Sequence, residues 1–222
     1  MNKIKNKLSK IFKKPIYVLG LPASGSTFTF QLLNEMFPGR VIKTHKFIPK
    51  SNCFKFVNYR DPRDIILSTA KRRYQDLGEL AGIEASIIQS HINLFRENKY
   101  HNNLKKYKND KKAYLIKYED YFNGNEKKLI EFIAQKLNKN IKENKINYIL
   151  DKYSLRSNLK RAKKLKTFNN YDNKSQIHGN HISNMGKSGE WKKVFSTKVI
   201  NIIKKDIGKF IIDFGYEKND NW

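Results

Sequence analysis

The sequence predicts an α/β fold, a single domain in which a central parallel β-sheet is flanked by helices. Short apolar segments alternate along the chain with longer segments of helical periodicity, which is the order that parallel strand–helix–strand units require. The chain has 222 residues, of which 39% are hydrophobic and 13% aromatic, so it can bury one core and is not disordered throughout. No internal repeat is visible, and no apolar run approaches the roughly 20 residues of a membrane span.

The first half of the domain contains three predicted strands and two predicted helices. The first helix follows a glycine-bounded turn and ends before the Pro38-Gly39 pair. The second helix starts at Asp61 and Pro62, because aspartate is a good N-cap and proline fits the first helical position. The predicted elements are strand 16–19, helix 28–37, strands 41–44 and 54–59, and a helix from Asp61 to about Leu77.

The second half contains one more predicted strand and is otherwise mostly helical. Residues 167–190 are rich in Asn, Ser, Gly and His, a composition that predicts a loop, and Gly215 predicts the end of the last helix. The predicted elements are one or two helices within 84–107, strand 113–118, helix 126–137, helices within 143–166 and a closing helix over 196–214.

The N-terminal segment, residues 1–14, is predicted to be a basic amphipathic tail that precedes a catalytic domain spanning 15–222. Its isolated apolar residues recur at helical spacing among lysines, a pattern typical of a helix that rests on anionic lipid. A frayed basic tail or a helix docked on the domain explains the pattern equally well. The segment has no secretory signal, and the single cysteine, Cys53, excludes an internal disulfide. We therefore expect a cytoplasmic protein, with peripheral membrane contact as an alternative.

The net charge of +26 favours anionic partners. Nucleic acid, an anionic membrane and a phosphate-rich small molecule all satisfy it. Lysine outnumbers arginine by 38 to 8, and the accompanying excess of Asn and Ile is typical of A/T-rich codons, so much of the charge is expected on solvated surface. Because the lysines are spread through the chain, nucleic acid is not the expected partner. Half of the arginines lie between residues 60 and 73, and guanidinium binds phosphate in a bidentate geometry that lysine lacks.

The turn between the first strand and the first helix has the composition of an anion-binding loop. It reads GLPASGST at residues 20–27, hereafter the anion loop. Backbone N–H groups at the start of a helix attract phosphate, and glycine allows a close approach of the backbone. The loop lacks the lysine of a nucleoside-triphosphate loop, so the standard motif does not match. An ordinary Gly/Ser turn is the alternative interpretation.

Two further segments place polar side chains after the second and third strands. Arg60 ends the third strand, where open α/β sheets bind ligands, and Ser68 lies two turns into the following helix. Arg72 follows one turn later on the same face, and arginine with serine at this separation can hold a second phosphate. A capped helix with surface charges is the alternative. Lys43 and His45 flank the end of the second strand, where a histidine can act as a base near neutral pH.

Taken in order, these segments resemble the sulfotransferases that use 3′-phosphoadenosine 5′-phosphosulfate (PAPS). The family's 5′-phosphosulfate loop is similar to PIYVLGLPASGSTFTFQLL, its Lys-Thr-His element to VIKTH, and its 3′-phosphate motif to VNYRDPRDIILS. Its Tyr-Glu-Asp strand and helix resemble LIKYEDYFNGNEKKLIEFIAQKL, and its late glycine–tryptophan segment resembles MGKSGEWKKVF. The matches run in family order from about residue 15 to residue 216.

The resemblance implies a phosphate-loop architecture and transfer of a sulfuryl group from PAPS to the hydroxyl of a saccharide, a lipid or a small alcohol. His45 would be the general base of an in-line attack, Lys43 would lie near the transferring group, and no metal is implied. The implied cofactor-binding residues are Ser24, Gly25, Ser26 and Thr27 for the 5′-phosphosulfate, Arg60 and Ser68 for the 3′-phosphate, Tyr118 and Phe28 near the adenine, and Gly186, Lys187 and Gly189 as a closing segment.

The chain departs from the family pattern at three points. Ala23 stands where the family usually has a lysine or arginine that touches the leaving oxygen, Phe28 replaces a common tryptophan, and Asn184-Met185-Gly186 replaces Arg-Lys-Gly. The first departure either lowers activity or shifts leaving-group stabilisation onto Lys43. A nucleotide or small-molecule kinase with a degenerate phosphate loop, a basic nucleic-acid-binding protein and a catalytically inactive sulfotransferase relative are the alternatives.

Overall fold

The computed structural model describes residues 14–48, 51–75, 88, 91–93, 95–96, 99–122, 124–179, 182 and 186–222. Apart from Lys14, the predicted tail lies outside these ranges, so its membrane contact stays a prediction. The strands are β1 (Ile16–Leu19), β2 (Val41–Thr44), β3 (Phe54–Tyr59), β4 (Ala113–Lys117), β5 (Tyr171–Asp172) and β6 (Ile177–His178). The helices are α1 (Ser26–Met36), α2 (Pro62–Gln75), α3 (Tyr100–Lys108), α4 (Tyr118–Tyr121), α5 (Glu126–Lys136), α6 (Glu143–Lys152), α7 (Leu155–Leu165), α8 (Trp191–Val194) and α9 (Thr197–Asp213).

Four strands form one parallel sheet in the order β2-β1-β3-β4, which confirms the predicted fold class. Alternate side chains of the sheet enter two separate hydrophobic layers. Val18 and Phe56 pack into the layer that contains α1 and α5, whereas Leu19 and Val57 pack into the layer that contains α2 and α9. The sheet is therefore covered by helices on both faces.

The chain order within the sheet creates a crevice at the carboxyl ends of β1 and β3. From β1 the chain crosses to β2 on one side, and β3 then pairs with β1 on the other side. At such a switch point the connections that follow the two central strands diverge to opposite faces, which leaves room for a ligand. The anion loop follows β1 and Arg60 follows β3, so both lie at this crevice.

The structure differs from the sequence prediction at three places. Helix α1 begins at Ser26 rather than 28, because Gly25 closes the turn with a φ of 87°. Strand β4 ends at Lys117, because Tyr118 already starts the single-turn helix α4. The predicted loop 167–190 contains the hairpin β5–β6, and α8 begins directly after it at Trp191. A distant contact holds this hairpin, in which Gln31 Nε2 donates to the carbonyl oxygen of Ser175 at 2.8 Å.

Arg63 ties the start of α2 to the C-terminal segment. Its side chain is only 2% exposed, and its guanidinium pairs with Asp61 at 2.7 Å and Glu217 at 2.6 Å. The Arg63 guanidinium carbon also lies 4.0 Å from the ring centroid of Trp191 and 4.6 Å from that of Trp222, within cation–π range. Asp61 in addition caps α2 by accepting the Arg63 N–H at 2.9 Å, as its position predicted. These contacts hold the helix that carries Ser68 and Arg72.

We expect Arg63→Lys to lower the free energy of unfolding by about 3 kcal/mol. A lysine ammonium has no planar fork with which to serve both carboxylates, and it leaves buried charge partly unpaired. Urea unfolding can be followed by fluorescence, because the only two tryptophans of the chain both flank Arg63. Arg156→Lys on the exposed face of α7 is the matched control, with an expected change under about 0.5 kcal/mol. Equal effects of the two substitutions would show that the Arg63 network does not stabilise the fold.

Candidate active site

The anion loop is tightly closed and packs against two aromatic rings. The Ser24 hydroxyl, which is fully buried, donates to the carbonyl oxygen of Leu21 at 2.7 Å. A Cβ atom on Gly25 would lie 2.5 Å from Phe122 Cζ and 3.0 Å from Tyr118 Cδ2, so only glycine fits there. The loop leads directly into the first turn of α1, and the backbone N–H groups at a helix N-terminus favour an anion.

Lys43 reaches the anion loop from the neighbouring strand β2. Its Nζ atom donates to Thr27 Oγ1 at 2.7 Å. Burial, together with the positive charge of Arg72, lowers the pKa of Lys43 to about 8. The ammonium is still protonated at neutral pH, but it lies in a place where positive charge is already crowded. An anion bound beside it would favour the protonated form.

His45 lies against the start of the same loop. Its Nδ1 atom is hydrogen-bonded to the carbonyl oxygen of Gly20. Because a carbonyl only accepts, Nδ1 carries the proton and the Nε2 atom of the neutral ring keeps its lone pair. Burial lowers the pKa of His45, and the charges of Lys43 and Arg72 act in the same direction, against the opposing effect of the Gly20 carbonyl. The ring is therefore neutral at physiological pH and able to accept a proton at Nε2.

Arg60 occupies the opposite side of the crevice, at the end of β3. It is 5% exposed, and it donates through Nη1 to the Ala23 carbonyl at 3.2 Å and through Nη2 to the Lys187 carbonyl at 2.6 Å. Its Cζ atom lies 4.2 Å from the ring centroid of Tyr118. The buried Nε–H of Arg60 has no partner among the described residues. A buried guanidinium with an unused donor is suited to an anionic ligand.

Hydrogen bonds of its own backbone hold the segment 186–189 beside Arg60. The Gly186 carbonyl accepts from the Tyr118 hydroxyl at 2.7 Å, and the Gly189 N–H donates to Asp64 Oδ2 at 2.7 Å. Asp64 Oδ2 also lies 3.9 Å from Arg60 Nη2. Segments more than 100 residues apart thus converge on one guanidinium.

A cavity of about 420 Å³ extends from the anion loop to α6 and α7. Tyr118 and Phe122 stack at one wall with ring centroids 4.1 Å apart, and Phe28 meets Phe122 edge-on at 5.5 Å. Leu155 and Ile177 contribute apolar surface from distant elements. The volume and the aromatic wall suit a planar heterocycle, and Arg60 and the loop provide polar groups at the same cavity.

The structure brings most of the predicted site residues to this cavity. Ser24 and Ser26 are buried within the loop and do not line the cavity, and the Lys187 side chain is exposed. His45 lines a separate cavity of about 30 Å³ with Gly20 and Tyr107. The predicted residues that line the large cavity are Gly25, Thr27, Phe28, Arg60, Ser68, Tyr118 and Gly186.

Sequence reasoning missed Phe122 and Asp64 as parts of the site. Each follows a predicted site residue by four positions, Tyr118 and Arg60 respectively, and this helical spacing was the available signal. Ile177 in the hairpin had no local signal at all. No group of three or more His, Cys, Asp or Glu side chains in the described part of the chain could hold a metal ion. Within the same part, no helix is long and apolar enough to cross a membrane.

No family model and no curated protein sequence matches the chain. Solved structures do match it. A mouse sulfotransferase, SULT7A1, complexed with PAP superimposes with a TM-score of 0.63 at 16% identity, covering 89% of this chain and 84% of that chain. Retinol dehydratase in complex with retinol and PAP gives 0.63 at 16% identity, covering 90% and 82%. Retinol dehydratase with androsterone and the inactive cofactor PAP gives 0.62 at 15% identity, covering 90% and 81%.

This chain has the sulfotransferase fold. The match covers nearly nine-tenths of the chain, in which Arg60 follows β3 and Ser68 lies within α2. A sulfotransferase fold at 16% identity leaves the activity to be argued from the site residues themselves.

We expect Gly25→Ala to cost more stability than Gly39→Ala. Both glycines have positive φ, 87° and 71°, so both substitutions carry a similar backbone penalty of about 1 kcal/mol. A Cβ at Gly39 meets nothing within 4 Å, whereas one at Gly25 collides with Phe122, which adds about 1–3 kcal/mol. Urea unfolding of the two variants measures the difference. Equal losses would contradict the packing of the loop against the aromatic wall.

Proposed function

We propose that this protein is a sulfotransferase that moves a sulfuryl group from PAPS to a hydroxyl acceptor. The observation that carries this proposal is the pairing of two anion-binding groups at one cavity. The buried Arg60, with its unpartnered Nε–H, lies on one side, and the glycine-bounded loop with Lys43 lies on the other. PAPS carries anionic groups at its 3′ and 5′ positions and a planar adenine, so its chemistry matches the two groups and the aromatic wall. The PAP bound to the structurally similar sulfotransferase supports the same assignment.

The proposed donor-binding residues are those that the family resemblance implies, and the contacts around the cavity support them. Arg60 and Ser68 hold the 3′-phosphate, and the segment containing Gly186, Lys187 and Gly189 closes over it through the bonds to Tyr118 and Asp64. Tyr118, Phe122 and Phe28 receive the adenine. Gly25, Ser26 and Thr27 receive the 5′-phosphosulfate at the start of α1, with Lys43 beside them. Ser24 shapes the loop instead, because its N–H and its hydroxyl both donate to the Leu21 carbonyl.

Lys43 and His45 carry the proton and charge chemistry of the proposed reaction. When bound, PAPS supplies a sulfuryl group that is activated by its bond to the 5′-phosphate. His45 Nε2 accepts the proton of the acceptor hydroxyl, while the Gly20 carbonyl keeps the other ring nitrogen protonated. The Lys43 ammonium and the N-terminal N–H groups of α1 stabilise negative charge at the loop. Each of these groups is already oriented by a contact within the protein.

The acceptor side of the site lies toward His45. The small cavity at His45 shares no lining residue with the large cavity, although loop residues border both. The large cavity has the volume of a ligand site, whereas the small one has room for only about one water molecule, so the acceptor binds outside it on the His45 side. Phe47, Tyr100 and Tyr107 make the His45 side largely aromatic. A saccharide, a lipid or a small alcohol presents the required hydroxyl.

Nucleotide binding tests this proposal directly. We expect adenosine 3′,5′-bisphosphate to bind more tightly than ATP, since Arg60 recognises the 3′-phosphate. Arg60→Lys should weaken bisphosphate binding about 10- to 150-fold, because a charge-assisted hydrogen bond and bidentate geometry are lost. Isothermal titration calorimetry measures both, with Arg156→Lys as the exposed control. Tighter binding of ATP would favour the kinase alternative. Binding of nucleic acid, with no binding of either nucleotide, would favour the alternative of a basic nucleic-acid-binding protein.

His45→Asn tests the general-base assignment. Asparagine keeps a donor for the Gly20 carbonyl but cannot accept a proton, so we expect turnover to fall about 10²- to 10⁴-fold. Bisphosphate affinity should change less than about threefold. Labelled PAPS against a panel of hydroxyl acceptors measures turnover. In the unmodified enzyme the acid limb of kcat/KM should have its midpoint below about pH 6.5, since burial lowers the His45 pKa. Near-normal turnover by a folded His45→Asn protein would refute this role for His45 while leaving PAPS binding intact.

A further inference from the structure

Glu126 places a carboxylate in the wall of the cavity that the proposed function fills with an anionic nucleotide. It is the first residue of α5 and, like Arg60 and Phe122, it lines the cavity of about 420 Å³. Its Oε2 atom accepts the Gly124 N–H at 3.0 Å. No residue in the described part of the chain is hydrogen-bonded to Oε1 or forms an ion pair with this carboxylate. Negative charge beside an anionic ligand is unfavourable unless the ligand presents a hydrogen-bond donor at that place.

The other polar side chains that α5 and the start of α7 bring to this cavity have partners within the protein. Lys127 Nζ pairs with Glu143 at 2.6 Å. The Ser154 hydroxyl caps α7 by accepting a backbone N–H of its first turn. Asn158 exchanges amide hydrogen bonds with Gln31 at 2.9 and 3.2 Å. Of these groups, the carboxylate at the start of α5 retains an oxygen with no partner among the described residues.

The carboxylate belongs to the part of the cavity that has the aromatic wall. Helix α5 begins four residues after Phe122, whose ring stacks on Tyr118 with centroids 4.1 Å apart. Burial raises the pKa of Tyr118, and the charge of Glu126 acts in the same direction, against the opposing effect of Arg60. A planar base that stacks on these rings shares this part of the cavity with Glu126. The base is also the part of a nucleotide that can meet the carboxylate without bringing negative charge to it.

The edges of adenine carry one strong hydrogen-bond donor, the 6-amino group, beside ring nitrogens that only accept. An ionised carboxylate also only accepts, so it repels the ring nitrogens and attracts the amino group. We infer that Glu126 accepts a hydrogen bond from the 6-amino group of the donor's adenine and so favours a base that carries this group. The inference rests on the proposed function, and it adds a polar contact to the stacking that the aromatic wall provides.

Two nucleotides that differ only in this amino group test the contact without any turnover. Purine riboside 3′,5′-bisphosphate carries hydrogen where adenosine 3′,5′-bisphosphate carries the 6-amino group. We expect the unmodified protein to bind the adenosine nucleotide about 10- to 150-fold more tightly, as for a hydrogen bond to a charged group. Isothermal titration calorimetry of Glu126→Ala should give two affinities within about threefold of each other. Glu131→Ala on the exposed face of α5 is the matched control and should keep the full preference.

Glu126→Gln separates recognition of the base from the stability of α5. Glutamine can still accept the Gly124 N–H and the amino group, but without charge, so we expect a preference of about two- to tenfold. Urea unfolding identifies variants that do not fold, and Glu126→Gln then replaces Glu126→Ala in the comparison with the unmodified protein. No preference in the unmodified protein, or the same preference in the variant, would overturn the inference while leaving bisphosphate binding intact. An unmodified protein that binds neither nucleotide would refute the proposed function itself, and this inference with it.

Discussion

Parallel pairing of β1 with both β2 and β3 is the constraint on which the rest of the site depends. The register places Leu19 opposite Thr44 on one side and opposite Val57 on the other, so three strands end at the same edge of the sheet. Each strand is followed within a few residues by a different polar group or loop. These are the anion loop after β1, His45 after β2 and Arg60 after β3. No single segment forms the crevice, and sheet pairing alone brings its parts together.

Arginines on one short stretch of chain are used in two physically different ways. Arg63 has two carboxylates and two indole rings around it, so its charge is compensated inside the protein. Arg60 and Arg72 each keep a buried N–H group for which no described residue is a partner. The first arrangement stabilises the fold, whereas the second leaves buried donors that a bound anion would satisfy. Arg63, the paired arginine, thereby holds in place helix α2, which carries Arg72.

Positive charge comes close to the anion loop from more than one element of this fold, since Lys43 on β2 donates to Thr27 and Arg60 after β3 donates to the Ala23 carbonyl. Where the loop contains Ala23, cations from β2 and α2 lie close enough to act on one another. Such crowding of like charges lowers the pKa of Lys43. At 16% identity the likeness to a solved sulfotransferase shows the fold, and the fold does not fix which residues of this chain carry the charge.

The sequence by itself determined the parallel sheet, the exact bounds of β1, β2 and β3, the cap of α2 at Asp61 and the residues of the anion loop. These features depend on local patterns, namely short apolar runs, glycine positions and capping residues, whose effects act within a few positions along the chain. Only the tertiary structure decided that Phe122 completes the wall behind Gly25, that Lys43 donates to Thr27, and that Gln31 holds the 171–178 hairpin. Those contacts join residues on different elements, and no local pattern encodes which distant side chain fills a given space.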